Sequence, residues 1–453
     1  MIPILIFVIF VLYGFNSCST TEPPPGNNGN ASLYLEDVSC TEAWIKISIT
    51  NITLPVSAKL LKDDSLVQNI NLTRADTILY VDSLLPNQTY NFYTTIESSN
   101  QSPITTNQLQ VTTLDTTSND YTWQTWTFGS WFDQSYLFDV SIINDTLAYA
   151  VGGIYLLDSL GQPDPNAYNL VRWNGSDWKL NRINMKNSCN PVTYPPLQTI
   201  WTFSAKNTFF TSKGSIGWYD GKYVILDCGV NQLLNGAITK CWGINNTDLY
   251  VIGLNGSIDH YQNAQGSKIE SGTNDNLTDI SGDADGDLYT CGVRDSDGTS
   301  IILKKSASSD WQPFVHSGMV TKDELFHPNL YGEIVTIYVE DKNTIYAAGN
   351  ILYRCKFRKW NYVRSLPENY IGGNPNVYYR GFIDRVKGTA PNDLWIIGDR
   401  NTVRHFNGIR WKQIGMPYDP NIDLVWRGIS IKGKEAVLVG TYNRQAIIMI
   451  AEK

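Results

Sequence analysis

Beyond residue 30 the chain is written in short apolar–polar alternations broken by Gly, Asn, Asp and Pro, the period-two pattern of half-buried antiparallel strands. Between Ala31 and Thr117 the runs are Trp44-Ile45-Lys46-Ile47-Ser48-Ile49, Ala58-Lys59-Leu60-Leu61, Thr77-Ile78-Leu79-Tyr80-Val81 and Tyr90-Asn91-Phe92-Tyr93-Thr94-Thr95-Ile96. No helix-period stretch interrupts them, and this segment predicts a small β-sandwich. The pattern differs only at the start. Residues 2–12 are apolar apart from Pro3, too short a run to cross a bilayer, which takes roughly 20 residues, but of the length of an export-signal core.

After Thr117 one phrase recurs. Asp145-Thr146-Leu147-Ala148-Tyr149-Ala150-Val151-Gly152 returns as Asn246-Thr247-Asp248-Leu249-Tyr250-Val251-Ile252-Gly253, and then as Asp287-Leu288-Tyr289-Thr290-Cys291-Gly292. Further copies are Thr344-Ile345-Tyr346-Ala347-Ala348-Gly349, Asp393-Leu394-Trp395-Ile396-Ile397-Gly398 and Glu435-Ala436-Val437-Leu438-Val439-Gly440. A degenerate copy, Thr208-Phe209-Phe210-Thr211-Ser212-Lys213, lacks the glycine. Placing the aromatic anchor at 149, 210, 250, 289, 346 and 395, with Val437 last, gives intervals of 61, 40, 39, 57, 49 and 42 residues.

A second phrase follows several anchors: Arg172-Trp173-Asn174-Gly175, Trp218-Tyr219-Asp220-Gly221 and His405-Phe406-Asn407-Gly408. Asn-Gly or Asp-Gly between strand-like runs marks a hairpin, because a type I′ turn needs positive φ at both central residues. Each unit therefore reads as four strands, and four strands repeating at this spacing make a β-propeller blade. Seven copies predict seven blades. The last unit has room for only three strands, so Tyr121-Thr122-Trp123-Gln124-Thr125-Trp126 is expected to supply its fourth and close the ring, which removes unpaired strand edges.

Two resemblances refine this all-β reading. The apolar run ending in Ser17-Cys18 resembles a bacterial lipoprotein signal, which implies cleavage before Cys18 and acylation of that residue, the lipid attachment site. Leu84-Leu85-Pro86-Asn87-Gln88-Thr89-Tyr90 resembles the fibronectin type III signature Leu-x-Pro-x-Thr-x-Tyr, with Gln88 in the Thr position. That resemblance implies a corner hydrogen bond by Tyr90, and Trp44 matches the family's strand-B core tryptophan in type. The expected organisation is a lipoprotein signal peptide over residues 1–17 and a flexible tether over 18–30, whose Pro23-Pro24-Pro25-Gly26-Asn27-Asn28 composition cannot bury a core. A type III-like sandwich follows over 31–117 and a propeller of about seven blades over 118–453.

Charge narrows the partners. With a net charge of -8 and no basic stripe, nucleic acid is not expected. Besides Cys18 there are Cys40, Cys189, Cys228, Cys241, Cys291 and Cys355; an exported compartment permits disulfides, and Cys228 with Cys241 is the nearest pair, with buried free thiols the competing reading.

Chemistry-bearing motifs are sparse. His260, His316, His327 and His405 show no metal-ligand spacing, and His405 sits where a blade hairpin calls for packing. Asp283-Ala284-Asp285-Gly286-Asp287 has alternating carboxylates that suit Ca²⁺, but it lacks the distal Glu of an EF-hand and coincides with a turn. Arg294-Asp295-Ser296-Asp297-Gly298-Thr299 lacks the order of the sialidase Asp-box. No catalytic residue, metal site or cofactor is therefore expected. Insertions at 155–168, 315–333 and 367–379, rich in Tyr, Asn, Gly and Pro, are expected to gather on a propeller face, where adaptable recognition is grafted onto a rigid ring.

The expected function is that of a non-catalytic, membrane-anchored interaction protein of the bacterial cell envelope, on its periplasmic or surface side. The sandwich would hold the propeller away from the membrane, and a propeller face would bind a protein or glycan ligand. The alternative is a carbohydrate-active enzyme (hydrolase, lyase or glycosyl transferase), which requires two or more carboxylates converging on one face.

Overall fold

The computed structural model describes residues 29–97, 103–130, 132–186, 192–212, 214–220, 224–227, 236–245, 247–262, 265–317, 330–363, 382–415 and 422–453. Every regular element among them is a strand. The chain divides into two compact units, one of Met1–Val38 with Glu42–Thr113 and one of Ser39–Thr41 with Leu114–Lys453. Cys18 and the tether before residue 29 lie outside the described residues.

In the first unit, Asn30–Val38, Ala43–Thr50 and Asp76–Val81 form a three-stranded sheet. Ser65–Leu72, Val56–Lys62, Thr89–Glu97 and Ile104–Thr105 form a second, in which Leu109–Thr112 also pairs with Thr89–Glu97. Both sheets contribute to one core, including Ile45, Ile47 and Leu79 from the first and Leu60, Phe92 and Ile96 from the second. The Leu85 amide donates to the Tyr90 hydroxyl at 2.9 Å, the hydrogen bond that the Leu-x-Pro motif implies. Trp44 is buried, 7% exposed, but lies outside this cluster: Ala43, Ile45, Ile47 and Ile49 point into it, so strict alternation turns Trp44 to the other face, where its ring lies 5.6 Å from that of its cross-strand partner Tyr80.

Among the described residues the second unit contains seven four-stranded antiparallel sheets. Their first strands are Tyr136–Asn144, Thr199–Ser204, Ile238–Asn245, Asn276–Gly282, Ile334–Asp341, Ile383–Ala390 and Leu424–Lys432. Each first strand packs against that of the next sheet, and the seventh packs against the first, so the sheets form a closed ring around a central channel. The seventh sheet is completed by Thr122–Phe128, which pairs with Gln445–Glu452 from Phe128↔Ala446 to Thr122↔Glu452. This is the closing strand that the sequence pattern calls for.

Burial follows the ring. Seven hydrophobic clusters lie one between each pair of neighbouring sheets. Tyr149, Tyr250, Tyr289, Tyr346, Trp395 and Val437 each fill the cluster between their own sheet and the next. The degenerate second copy departs by one residue: Phe209 faces the third sheet and holds the anchor position, whereas Phe210 turns back towards the first. With two adjacent phenylalanines and no glycine to fix the frame, the sequence alone placed the anchor at 210. Counted from Phe209, Ser212 replaces the glycine of the other copies.

Candidate binding site at the channel mouth

The repeated glycine has one structural cause. In six sheets it stands opposite the first strand immediately before a β-bulge: Gly152↔Leu137, Gly253↔Ile238, Gly292↔Leu277, Gly349↔Ile334, Gly398↔Ile383 and Gly440↔Trp426. The residue skipped by the ladder is Phe138, Thr239, Thr278, Val335, Asp384 or Arg427, respectively. At each glycine a Cβ would press on a backbone oxygen of the bulged strand or on its leucine, as on Asn276 O at 3.0 Å for Gly292. A bulge re-aims side chains and is a feature of strand ends near functional sites. All six skipped residues line one cavity of ≈ 440 Å³ at the end of the channel where the first strands begin. In the second sheet, which has Ser212 in place of the glycine, the ladder begins at Thr199↔Thr211, and Gln198 just before it takes the seventh place in the lining.

Beneath this ring runs a layer of buried polar groups. Asp139 accepts hydrogen bonds from Thr199 Oγ1 at 2.9 Å and the Ile200 amide at 3.2 Å, both in the next sheet, and from Lys240 Nζ at 2.6 Å in the one after. Asp279 repeats the device, accepting from Thr336 Oγ1 at 2.7 Å and the Ile337 amide at 3.2 Å. The Ile142 amide donates to Ser430 Oγ at 3.1 Å, closing the seventh sheet on the first. Burial alone would raise the Asp139 carboxyl, but the Lys240 ammonium beside it holds it below the usual range. At the mouth itself Arg427 donates to Asp384 Oδ1 at 2.9 Å and Arg385 to the Asp384 carbonyl at 2.6 Å. Burial still pushes the Asp384 carboxyl up, against the pull of both guanidiniums.

Sequence reasoning missed these groups. None carries a motif: they are isolated polar positions in the first strands, such as Asp139 in Phe138-Asp139-Val140 and Asp279 in Thr278-Asp279-Ile280. The available signal was positional: a charged or hydroxyl residue that recurs in the first strand of a unit.

The residues singled out from sequence serve the frame. His405 is fully buried between Trp395 and Tyr121, with Nε2 2.8 Å from Asp393 Oδ1 and Nδ1 2.6 Å from Asn119 Oδ1. Burial lowers its pKa, against the pull of the Asp393 carboxylate. His260, part-buried in its own sheet, repeats the pairing, 2.5 Å from Asp248 Oδ1 and stacked on Tyr250 at 4.1 Å. The two pairs hold equivalent ladder positions, His260 opposite Tyr250 and His405 opposite Trp395, and Lys304 with Asp287 makes a third such pair at 2.5 Å. Asp283 Oδ1 accepts from the amides of Asp285 and Asp287, a closed turn between two strands, and Gly286 has positive φ. In the loop after Val293, Arg294 Nε lies 3.1 Å from Asp275 Oδ1 and Asp297 caps Thr299. Cys241 is a buried free thiol, as are Cys40, Cys291 and Cys355; Cys189, Cys228 and His327 lie outside the described residues.

Of the three insertions, residues 155–168 follow the first sheet's strand Leu147–Ile154, whose end adjoins the start of the channel-lining strand and hence the mouth. Residues 367–379 and most of 315–333 lie outside the described residues. Their described flanks Ser317 and Phe382 adjoin the same end: Ser317 bonds the Ser300 carbonyl and Phe382 lines the cavity.

No protein-family model and no curated protein matches the sequence. Solved structures do resemble it. YCF48 bound to D1 peptide aligns with a TM-score of 0.51 and 10% identity over 75% of this chain and 97% of that one. The WD40 β-propeller domain of Doa1 aligns with a TM-score of 0.49 and 12% identity over 74% and 98%. YCF48 from Cyanidioschyzon merolae gives 0.48 and 14% over 72% and 98%. The first of these, together with the ring of four-stranded sheets, supports an all-β propeller fold for the chain.

Proposed function

We propose that the protein is a lipid-anchored, non-catalytic interaction protein of the bacterial cell envelope whose propeller mouth binds a protein ligand. In this reading each four-stranded sheet is a blade, giving seven, the first unit is a fibronectin type III-like sandwich, and Cys18 carries the lipid. The corner hydrogen bond from Leu85 to Tyr90 supports the type III reading. The observation that carries the function is the bulged ring. Six bulged positions, together with Gln198 of the second sheet, turn into one ≈ 440 Å³ cavity, and they hold Phe, Thr, Thr, Val, Asp, Arg and Gln. A fold needs no such variety at equivalent sites, whereas recognition of an asymmetric ligand does. A peptide-bound propeller among the similar structures fits this use of the fold.

The carboxylates near the axis support binding over hydrolysis. Asp139 and Asp279 each accept from the next sheet's Thr hydroxyl and amide, and their other oxygens accept from the Val140 and Ile280 amides. Asp384 is ion-paired with Arg427. A glycosidase needs two carboxyl groups able to exchange protons or attack the sugar, and these are engaged in holding sheets together.

The test is capture of envelope proteins by the full chain, identification of the retained partner, and titration with that purified partner. The wild type should bind it and return it unchanged in mass, while Arg427→Ala and Phe138→Ala should each weaken binding by roughly tenfold or more. A partner cleaved or modified on incubation, or bound equally by both variants, would contradict the proposal.

A further inference from the structure

The groove between the first and second sheets differs in chemistry from the mouth. It has a volume of ≈ 500 Å³, within the range of about 300–1,000 Å³ typical of small-ligand sites. Its charged lining is Arg172, Arg182 and Lys186, with no carboxylate. Arg182 is held by Asp164 and the Asn166 carbonyl and lies over the Tyr168 ring at 3.9 Å. Arg172 and Lys186 have no carboxylate partner among the described residues. At the mouth, by contrast, Arg427 and Lys240 each face an aspartate. Two cations left without anions beside a concave surface are a receptor for anionic groups.

The neutral lining specifies what else the ligand carries. Asn181 donates its amide nitrogen to the Lys179 carbonyl, which leaves its oxygen to accept, and Asn184 Oδ1 accepts from the Lys186 amide, which leaves its nitrogen to donate. Tyr149 and Tyr219 meet edge to face at 6.5 Å in the groove wall. Amides and tyrosines beside cations suit a ligand that presents hydroxyls, ring faces and acidic groups together.

We propose that this groove binds an acidic oligosaccharide bearing carboxylate or sulfate groups, with Arg172 and Lys186 receiving the anions and Asn181 and Asn184 the hydroxyls. The site is separate from the mouth and does not depend on what the mouth binds.

The experiment is calorimetric titration of the full chain with oligogalacturonate, chondroitin sulfate oligosaccharides, neutral maltohexaose and poly-glutamate. Wild type should bind one or both acidic saccharides, more weakly as salt rises, and the two arms separate carboxylate from sulfate recognition. Arg172→Gln and Lys186→Gln should each weaken binding by roughly tenfold, Arg172→Lys by less, and Lys434→Gln, on an exposed turn of the seventh sheet, should leave it unchanged. Lys186 is exposed, so its variant keeps the test valid should a change at Arg172 disturb folding. No binding of either acidic saccharide, equal binding of maltohexaose, preference for poly-glutamate, or undiminished binding by Lys186→Gln would overturn the proposal.

Discussion

Gly398 stands directly opposite Ile383, and a Cβ on it would overlap the carbonyl oxygen of Phe382, the residue that leads into the bulge at Asp384. The glycine is thus the counterpart of the bulge, and the bulge brings Asp384 into the channel mouth. Gly398→Ala should destabilise the propeller by about 1–3 kcal/mol, the cost of overpacking a tight site. It should also weaken ligand binding at the mouth. Denaturant unfolding with partner titration on the same variant checks both.

The link between glycine and bulge also shows how far the sequence could be read. The glycine phrase marks every sheet in which the first strand bulges opposite it at the channel mouth, and its absence marks the second sheet, where the ladder starts at Thr199. Strand order and ring closure by Thr122–Phe128 were legible because they follow from period-two alternation and a count of strands. The side on which a buried residue points was less so: Trp44 is set by the parity of Ile45, and Phe209 against Phe210 is settled only by packing. The mouth was not legible. A bulge shifts one residue out of alternation, and the pattern of apolar and polar positions does not register which side chain is skipped.

Lys240 and Asp139 form a buried pair, with side chains 8% and 7% exposed. Lys240→Met leaves Asp139 without its cation and should cost about 3–5 kcal/mol. Asp139→Asn combined with Lys240→Met should recover a substantial part of that loss. Urea unfolding of the two variants and the wild type gives the comparison.

Acid sensitivity follows from the same groups. The folded pKa of Asp139 is depressed, so its contribution is present above the unfolded value of about 4 and is lost as pH falls through the folded value. His405 is also depressed, by burial, so the stability it gives is present above about pH 6.5 and declines as pH falls below that. Asp384 is raised and acts in the opposite sense, its protonated form being favoured in the folded state. Stability should therefore begin to fall below about pH 6.5 in the wild type, and His405→Gln should flatten the pH 5–7 part of the profile. Unfolding midpoints across pH 3–8 would show it.

Removing the closing strand should be worse than any single substitution. A chain beginning at Gly129 leaves Gln445–Glu452 as an unpaired edge and uncovers the cluster against which Trp126 and Phe128 pack. Such a chain should associate or aggregate, whereas a chain beginning at Asn30 should stay monomeric; size-exclusion chromatography with light scattering distinguishes them.

The proposed anchor has its own test. Cys18→Ala should move the protein from the membrane to the soluble fraction and abolish incorporation of labelled fatty acid. Retention on the membrane with unchanged labelling would remove lipidation at Cys18 from the account.

Hydrogen–deuterium exchange of the full chain with and without its purified partner tests the central claim most directly. Protection should appear at the starts of the channel-lining strands, around Phe138, Gln198, Thr239, Thr278, Val335, Asp384 and Arg427, and should disappear in Arg427→Ala. Protection confined to the outer strands, with those seven positions unchanged, would contradict a binding site built from the bulged ring.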